Sequence, residues 1–279
     1  MPQQLPVLPP ARARVLTIVS SPSPDPHEVT SIVRSDPALA AAVIRAANSA
    51  WSAPRAAVRT VERAVIRIGP RETLQIVGAA VLSTTFEDLE AAGLDVDDLW
   101  RHVVACGLLT ELLIDADAPR DVRAAAYSAG LLHDIGRLGM AAERPDDYAA
   151  VVERVRGGVP AQEAEHRAFG AAHTVRGVEA ADAWSIPSVI HSSILEHHDP
   201  PEHLSPLAQA TARAVQISWR LGIGDGVMVH GGEDDEALTA EDEWVLSQIG
   251  GADVLHARVE WFRSAMQPPA PRSKDRRAS

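Results

Sequence analysis

Eleven histidines stand in a 279-residue chain of which aromatic residues make up only 4%. His102, His133, His173, His197 and His198 fall on or beside segments with helical periodicity, and Asp134 follows His133 directly. Imidazole and carboxylate are the donor types for zinc, manganese or iron, and helical proteins assemble such sites from several helices. Adjacent helix residues diverge by roughly 100°. His133 and Asp134 can therefore share an ion only near a helix end, which Gly136 is expected to supply. His197-His198 stands just before Asp199-Pro200-Pro201, where a helix must stop. Each residue also has a plainer role. His102 on an apolar face suits a core histidine, and Cys106, one turn on, a small buried hydrophobe. Asp134 is harder to explain away, because a buried carboxylate needs a partner or a metal. His27, His191, His203, His230 and His256 have no partner pattern and read as caps or surface groups.

The elements that must carry these residues are helices. Asp25-Pro26-His27-Glu28 offers an N-cap aspartate, a proline at the first helical position and an acid at the third, and Asp36-Pro37-Ala38-Leu39 repeats the cap and the proline. Val61, Ala64, Val65 and Ile68 form a short stripe stopped by Gly69 and restarted by Pro70. Further periodic segments cover about 96–115, 121–133, 145–156, 160–168, 171–184, 187–198 and 204–221, with a last amphipathic pair at about 240–249 and 252–266. No period-two strand stands out, so the expected fold is all-α, a compact multi-helix array. The proline clusters near 2–10 and 22–26 read as an extended start.

Composition excludes several chemistries. The chain has 25 arginines and a single lysine, Lys274, in a Pro-rich and then basic segment near the end. A P-loop, a pyridoxal Schiff base and a lysine general base all need a lysine in a structured site. The net charge of −12 disfavours nucleic acid as a partner. One cysteine forms no intrachain disulfide, and no signal region or membrane-length apolar run is present. A soluble cytoplasmic protein with no membrane association is expected.

Asp36-Pro37-Ala38-Leu39, continuing to Arg45 and Asn48-Ser49-Ala50, resembles the start of the HDOD domain, the HD-related output domain of bacterial signalling proteins. So does Ala64-Val65-Ile66 followed by Ile68-Gly69. Ala129-Gly130-Leu131-Leu132-His133-Asp134-Ile135-Gly136-Arg137-Leu138 is similar to that family's His-Asp segment, and Trp100-Arg101-His102 to its preceding helix. Phe169-Gly170 to His173, Trp184 to Pro187 and Glu196-His197-His198 continue the resemblance. It implies an HDOD domain over 5–222, with an N-terminal helical part at about 5–90 and an HD-like core at about 96–222. An acidic linker and C-terminal helical extension follow over 223–266, then a disordered basic tail over 267–279.

HDOD domains are similar to HD-GYP and HD phosphohydrolases. That relation implies a metal set of His102, His133, Asp134, His173, His197 and His198. The closing aspartate of those enzymes falls on Trp219 here, and whether Asp225, just beyond, folds back to serve instead is left open by the sequence. Arg137 stands where HD-GYP enzymes carry lysine, and no Gly-Tyr-Pro follows His198. The resemblance thus implies a non-catalytic signal-transduction module with a degenerate metal site. It would act by docking a signalling partner or binding a small signal, with no required cofactor. The alternative is a metal-dependent phosphohydrolase of nucleotides or cyclic dinucleotides holding Mn, Fe, Zn or Mg. A third arrangement binds a phosphorylated, nucleotide-like ligand without cleaving it, with Arg137 as the cofactor-binding charge partner.

Overall fold

The computed structural model describes residues 6, 8–54, 56–86, 89–227 and 237–267. The expected disordered tail, apart from Gln267, and residues 228–236 of the acidic linker, His230 among them, therefore lie outside the described residues. Within them the chain is built of helices: α1 (Pro10–Ile18), α2 (Pro26–Ser35), α3 (Pro37–Asn48), α4 (Val61–Ile68), α5 (Pro70–Ser83), α6 (Val96–Leu113), α7 (Arg120–Leu132), α8 (Ile135–Glu143), α9 (Pro145–Arg156), α10 (Ala161–Phe169), α11 (His173–Ala183), α12 (His191–Glu196), α13 (Pro206–Arg220), α14 (Ala240–Ser247) and α15 (Ala252–Met266). No strand occurs among the described residues, and no described helix is long and apolar enough to cross a membrane.

Local chemistry accounts for the breaks. Asp25 accepts the His27 amide at 3.0 Å and Asp36 the Ala38 amide at 2.8 Å, each with a proline at the first helical position. Gly69 closes α4 with φ of 95°, a conformation that admits glycine readily, and Pro70 starts α5. One element departs from expectation: the proline-flanked start is not wholly extended, since α1 begins at Pro10 and buries Val15, Leu16 and Ile18. Those apolar residues come almost in a row after Ala-Arg-Ala-Arg, so no periodic stripe marks the helix. Packing against α5 and α2 supplies the driving force instead.

The core of the array is α6, packed on both α7 and α13, with α8 against α11. Gly136 does not end a helix as expected. The break lies at His133-Asp134, and Gly136 sits in the first turn of α8. Its role is close approach: a Cβ there would stand 2.0 Å from the His173 carbonyl oxygen and 2.5 Å from the Gly177 amide. Gly136→Ala must therefore push α8 and α11 apart, and we expect a loss of about 1–3 kcal/mol, measured as a lowered urea midpoint.

The C-terminal helices are joined to this body. Trp261 Nε1 donates to Ala46 O at 3.0 Å, Arg258 pairs with Glu72 at 2.7 Å, and buried Asp242 takes Arg213 and Arg220 at 2.7 and 2.8 Å. Phe262 and Leu255 of α15 are fully buried.

Candidate metal centre

The chain brings His133, Asp134, His173, His197 and His198 to one place. His133 and Asp134 occupy the step between α7 and α8, which turns the two side chains toward each other despite their adjacency. His173 opens α11, and His197-His198 follow α12. Asp134 Oδ1 lies 3.3 Å from His173 Nε2 and 3.7 Å from His197 Nε2, while its Oδ2 lies 3.5 Å from His133 Nε2. His198 Nε2 is 3.2 Å from His173 Nε2.

The opposite edges of three rings are fixed. His133 Nδ1 donates to Gly130 O at 2.8 Å and His197 Nδ1 to Ser193 O at 2.9 Å. His173 Nδ1 donates to Glu165 Oε2 at 2.6 Å, and the same oxygen takes the His173 amide at 2.9 Å. Tyr148 donates to the other Glu165 oxygen at 3.2 Å. With Nδ1 protonated in each, Nε2 carries the lone pair, the tautomer in which a histidine ligates through Nε2.

These residues fit a divalent cation. Asp134 Oδ1 and His197 Nε2 are buried without a hydrogen-bond partner, which is costly for polar atoms in a protein interior. Donors bonded to one ion at about 2.1 Å stand roughly 3.0–3.4 Å apart, close to the separations seen around Asp134. Asp134, His173, His197 and His198 offer converging donor atoms as one group.

His102 stands apart from that group. Its ring is 5.3 Å from that of His133, its Nδ1 is 3.0 Å from Ser218 Oγ and its Nε2 is 3.6 Å from Cys106 Sγ. His102, Cys106 and His133 form a second converging group, fully buried. Cys106 is a buried small residue there, with its thiol pKa pushed well up by burial.

One expectation and one open question about the closing carboxylate meet the structure here. Trp219 does not fill the volume of a closing aspartate: it is only partly buried and lines a cavity of about 670 Å³ together with His197 and His198. The neighbouring residue on α13, Ser218, is the one that faces His102, because a step of roughly 100° turns Trp219 aside. Asp225 does fold back and is buried, but it reaches Arg137 Nη1 at 2.9 Å. Arg137 Nη1 also lies 3.3 Å from Asp134 Oδ2, so this guanidinium is enclosed between two carboxylates and is not among the residues lining the cavity.

Burial sets the protonation states. It lowers the pKa of His102 to about 4, with His133 adding to the effect, and lowers those of His133 and His197. His198, exposed where it meets the cavity, is also lowered to about 4, by desolvation of the ring and by His173. Burial opposes ionisation of Asp134, yet the Arg137 guanidinium and the surrounding imidazoles outweigh it and hold the carboxyl well below its ordinary range. Lowered in this way, His133, His197 and His198 favour their neutral forms beside the Asp134 carboxylate, the state in which imidazoles accept a cation.

Glu165 and Ser218 were not evident from sequence. Glu165 sits among Gln162, Glu163 and His166, which look like a solvated face, although its spacing of four from Ala161 and from Phe169 aligns it with partly buried residues.

The HDOD domain profile matches residues 5–200, and the chain belongs to the HDOD domain family. A candidate signal-transduction protein from Marinobacter aquaeolei VT8 superposes with a TM-score of 0.71 at 22% identity, covering 95% of this chain and 60% of its own. A candidate phosphohydrolase from Shewanella amazonensis SB2B superposes with a TM-score of 0.65 at 24% identity, over 94% of each chain. An uncharacterized protein of Treponema pallidum (strain Nichols) is 23% identical over 218 residues, and this chain spans 41% of that relative's length.

Proposed function

We propose that this chain is a non-catalytic signal-transduction module. It acts by docking a signalling partner or by binding a small signal, and its histidine-carboxylate centre holds at most one divalent ion as a structural element. The observation that carries this reading is the Asp134–Arg137–Asp225 chain of ion pairs, at 3.3 and 2.9 Å. A two-ion phosphohydrolase needs a carboxylate free to serve both ions. Here one Asp134 oxygen faces a permanent guanidinium charge, and Ser218, not a carboxylate, faces His102. The name of the Marinobacter structure agrees with such a role.

A second reading, a metal-dependent phosphohydrolase of nucleotides or cyclic dinucleotides, draws on a different observation. His197 and His198 line the 670 Å³ cavity, so an ion held by them would be within reach of a substrate. The purified protein, supplied with manganese or iron, is expected to show no hydrolysis of cyclic dinucleotides or generic phosphodiesters. Robust turnover that disappears in His133→Ala would establish the enzyme instead.

A further inference from the structure

Away from the histidines, a cavity of about 580 Å³ opens between α3, α5, α6 and the last turn of α15. Its wall is largely apolar, with Ala42, Ala80, Phe86, Leu89, Trp100 and Met266 among the residues that line it. The size falls within the range of small-molecule sites, which pair an apolar wall with few polar groups. Arg45 supplies such a group. Its Nη2 donates to Ala265 O at 2.6 Å, its Nε is buried without an acceptor, and among the described residues no carboxylate pairs with it. Desolvation by burial lowers its pKa.

The other charges on the rim are accounted for. Arg263 is engaged by Asp97 at 2.7 Å and Glu260 at 3.0 Å, and Glu90 is exposed. A cation without a counter-ion beside an apolar cavity calls for a ligand with one negative group and a hydrocarbon body. We infer that this cavity binds an aliphatic monocarboxylate of medium chain length, its carboxylate on Arg45 and its chain along the Phe86–Trp100 wall. The inference is independent of what the histidine centre holds.

The full chain should be titrated with decanoate by calorimetry, with decanol and acetate as probes lacking the charge or the tail. Decanoate is expected to bind saturably at one site, with decanol and acetate each roughly tenfold weaker or more. Arg45→Gln should weaken decanoate by roughly tenfold and leave decanol almost unchanged. Because Arg45 also ties α3 to α15, Ala41→Phe gives a second variant that fills the cavity and keeps that bond; it should abolish binding of both. Loss of decanoate binding in His133→Ala, equal affinities for decanoate and decanol, or unchanged decanoate binding in folded Arg45→Gln and Ala41→Phe would overturn the assignment. So would the absence of any saturable site.

Discussion

Acidification from pH 7.5 to pH 4.5 should remove about 2 to 3 kcal/mol of stability through His102 alone, with further loss through His133 and His197. The folded-state pKa of His102 is about 4 against an ordinary 6.5, so between those values the unfolded chain binds the proton and the folded chain does not. The contribution is therefore complete above pH 6.5 and is lost as pH falls through the window toward 4. His133 and His197 shift in the same direction by burial. Asp134 and Glu165, held low in the fold, begin to lose their contributions only as pH falls to the ordinary carboxylate range, so most of the window belongs to the imidazoles. Urea midpoints at pH 7.5, 6.5, 5.5 and 4.5 would measure the slope, and His102→Gln should flatten part of it. A stability that stays level down to pH 4.5 would show that the buried rings accept protons without cost.

Much of the fold was legible because capping chemistry is local. Asp36-Pro37 and Gly69-Pro70 fix a helix start and a helix break from a few adjacent residues, whatever surrounds them. Where the determinant is a tertiary contact, the local residues do not reveal it. α1 is a helix because α5 and α2 cover it, and its own residues carry almost no periodicity. Gly136 looked like a terminator, yet its reason for being glycine is the His173 carbonyl of another helix. A sequence gives the residue type at such a point without giving the neighbour that demands it.

The site divides along the same line. The residues His133, Asp134, His173, His197 and His198 were singled out by type and spacing, and they do converge. What could not be read is which residue lies one step round α13. A register shift of one position exchanges Ser218, inside against His102, for Trp219, on the cavity wall. Nor does spacing reveal that Asp225 crosses back to a guanidinium 88 residues earlier, since the intervening chain sets that meeting. By its place in the sequence Arg137 suits a ligand's phosphate, while in the structure its charge is already divided between Asp134 and Asp225.

Manganese or zinc added at about a hundred times its dissociation constant should stabilise the chain by about 2.7 kcal/mol, through binding to the native state alone. For a protein of this size that is a rise of roughly 5 to 10 °C in melting temperature. The source is the set of atoms without hydrogen-bond partners: Asp134 Oδ1 and His197 Nε2 would exchange an unmade bond for a ligand bond. Asp134→Asn keeps the shape and removes the anion, so it should abolish the rise while costing about 1–3 kcal/mol in metal-free protein. Asp134→Leu should cost about 3 kcal/mol, the lower end for breaking a buried ion pair, because Asp225 still holds Arg137. Glu165→Gln tests the positioning group: it leaves every Nε2 donor in place but weakens the hold on His173 Nδ1, and metal affinity should fall roughly 10- to 100-fold. Ser218→Asp offers the converse, a carboxylate introduced beside His102 on the face that Trp219 does not occupy. That variant should be less stable than the parent when free of metal and should gain more from manganese, since the new charge is buried and costly until a cation offsets it. Paired melts of all five proteins, with chelator and with metal, make the comparison. Equal metal responses in the parent and in Asp134→Asn would mean that the imidazole-carboxylate cluster is a packed polar core and not a cation site.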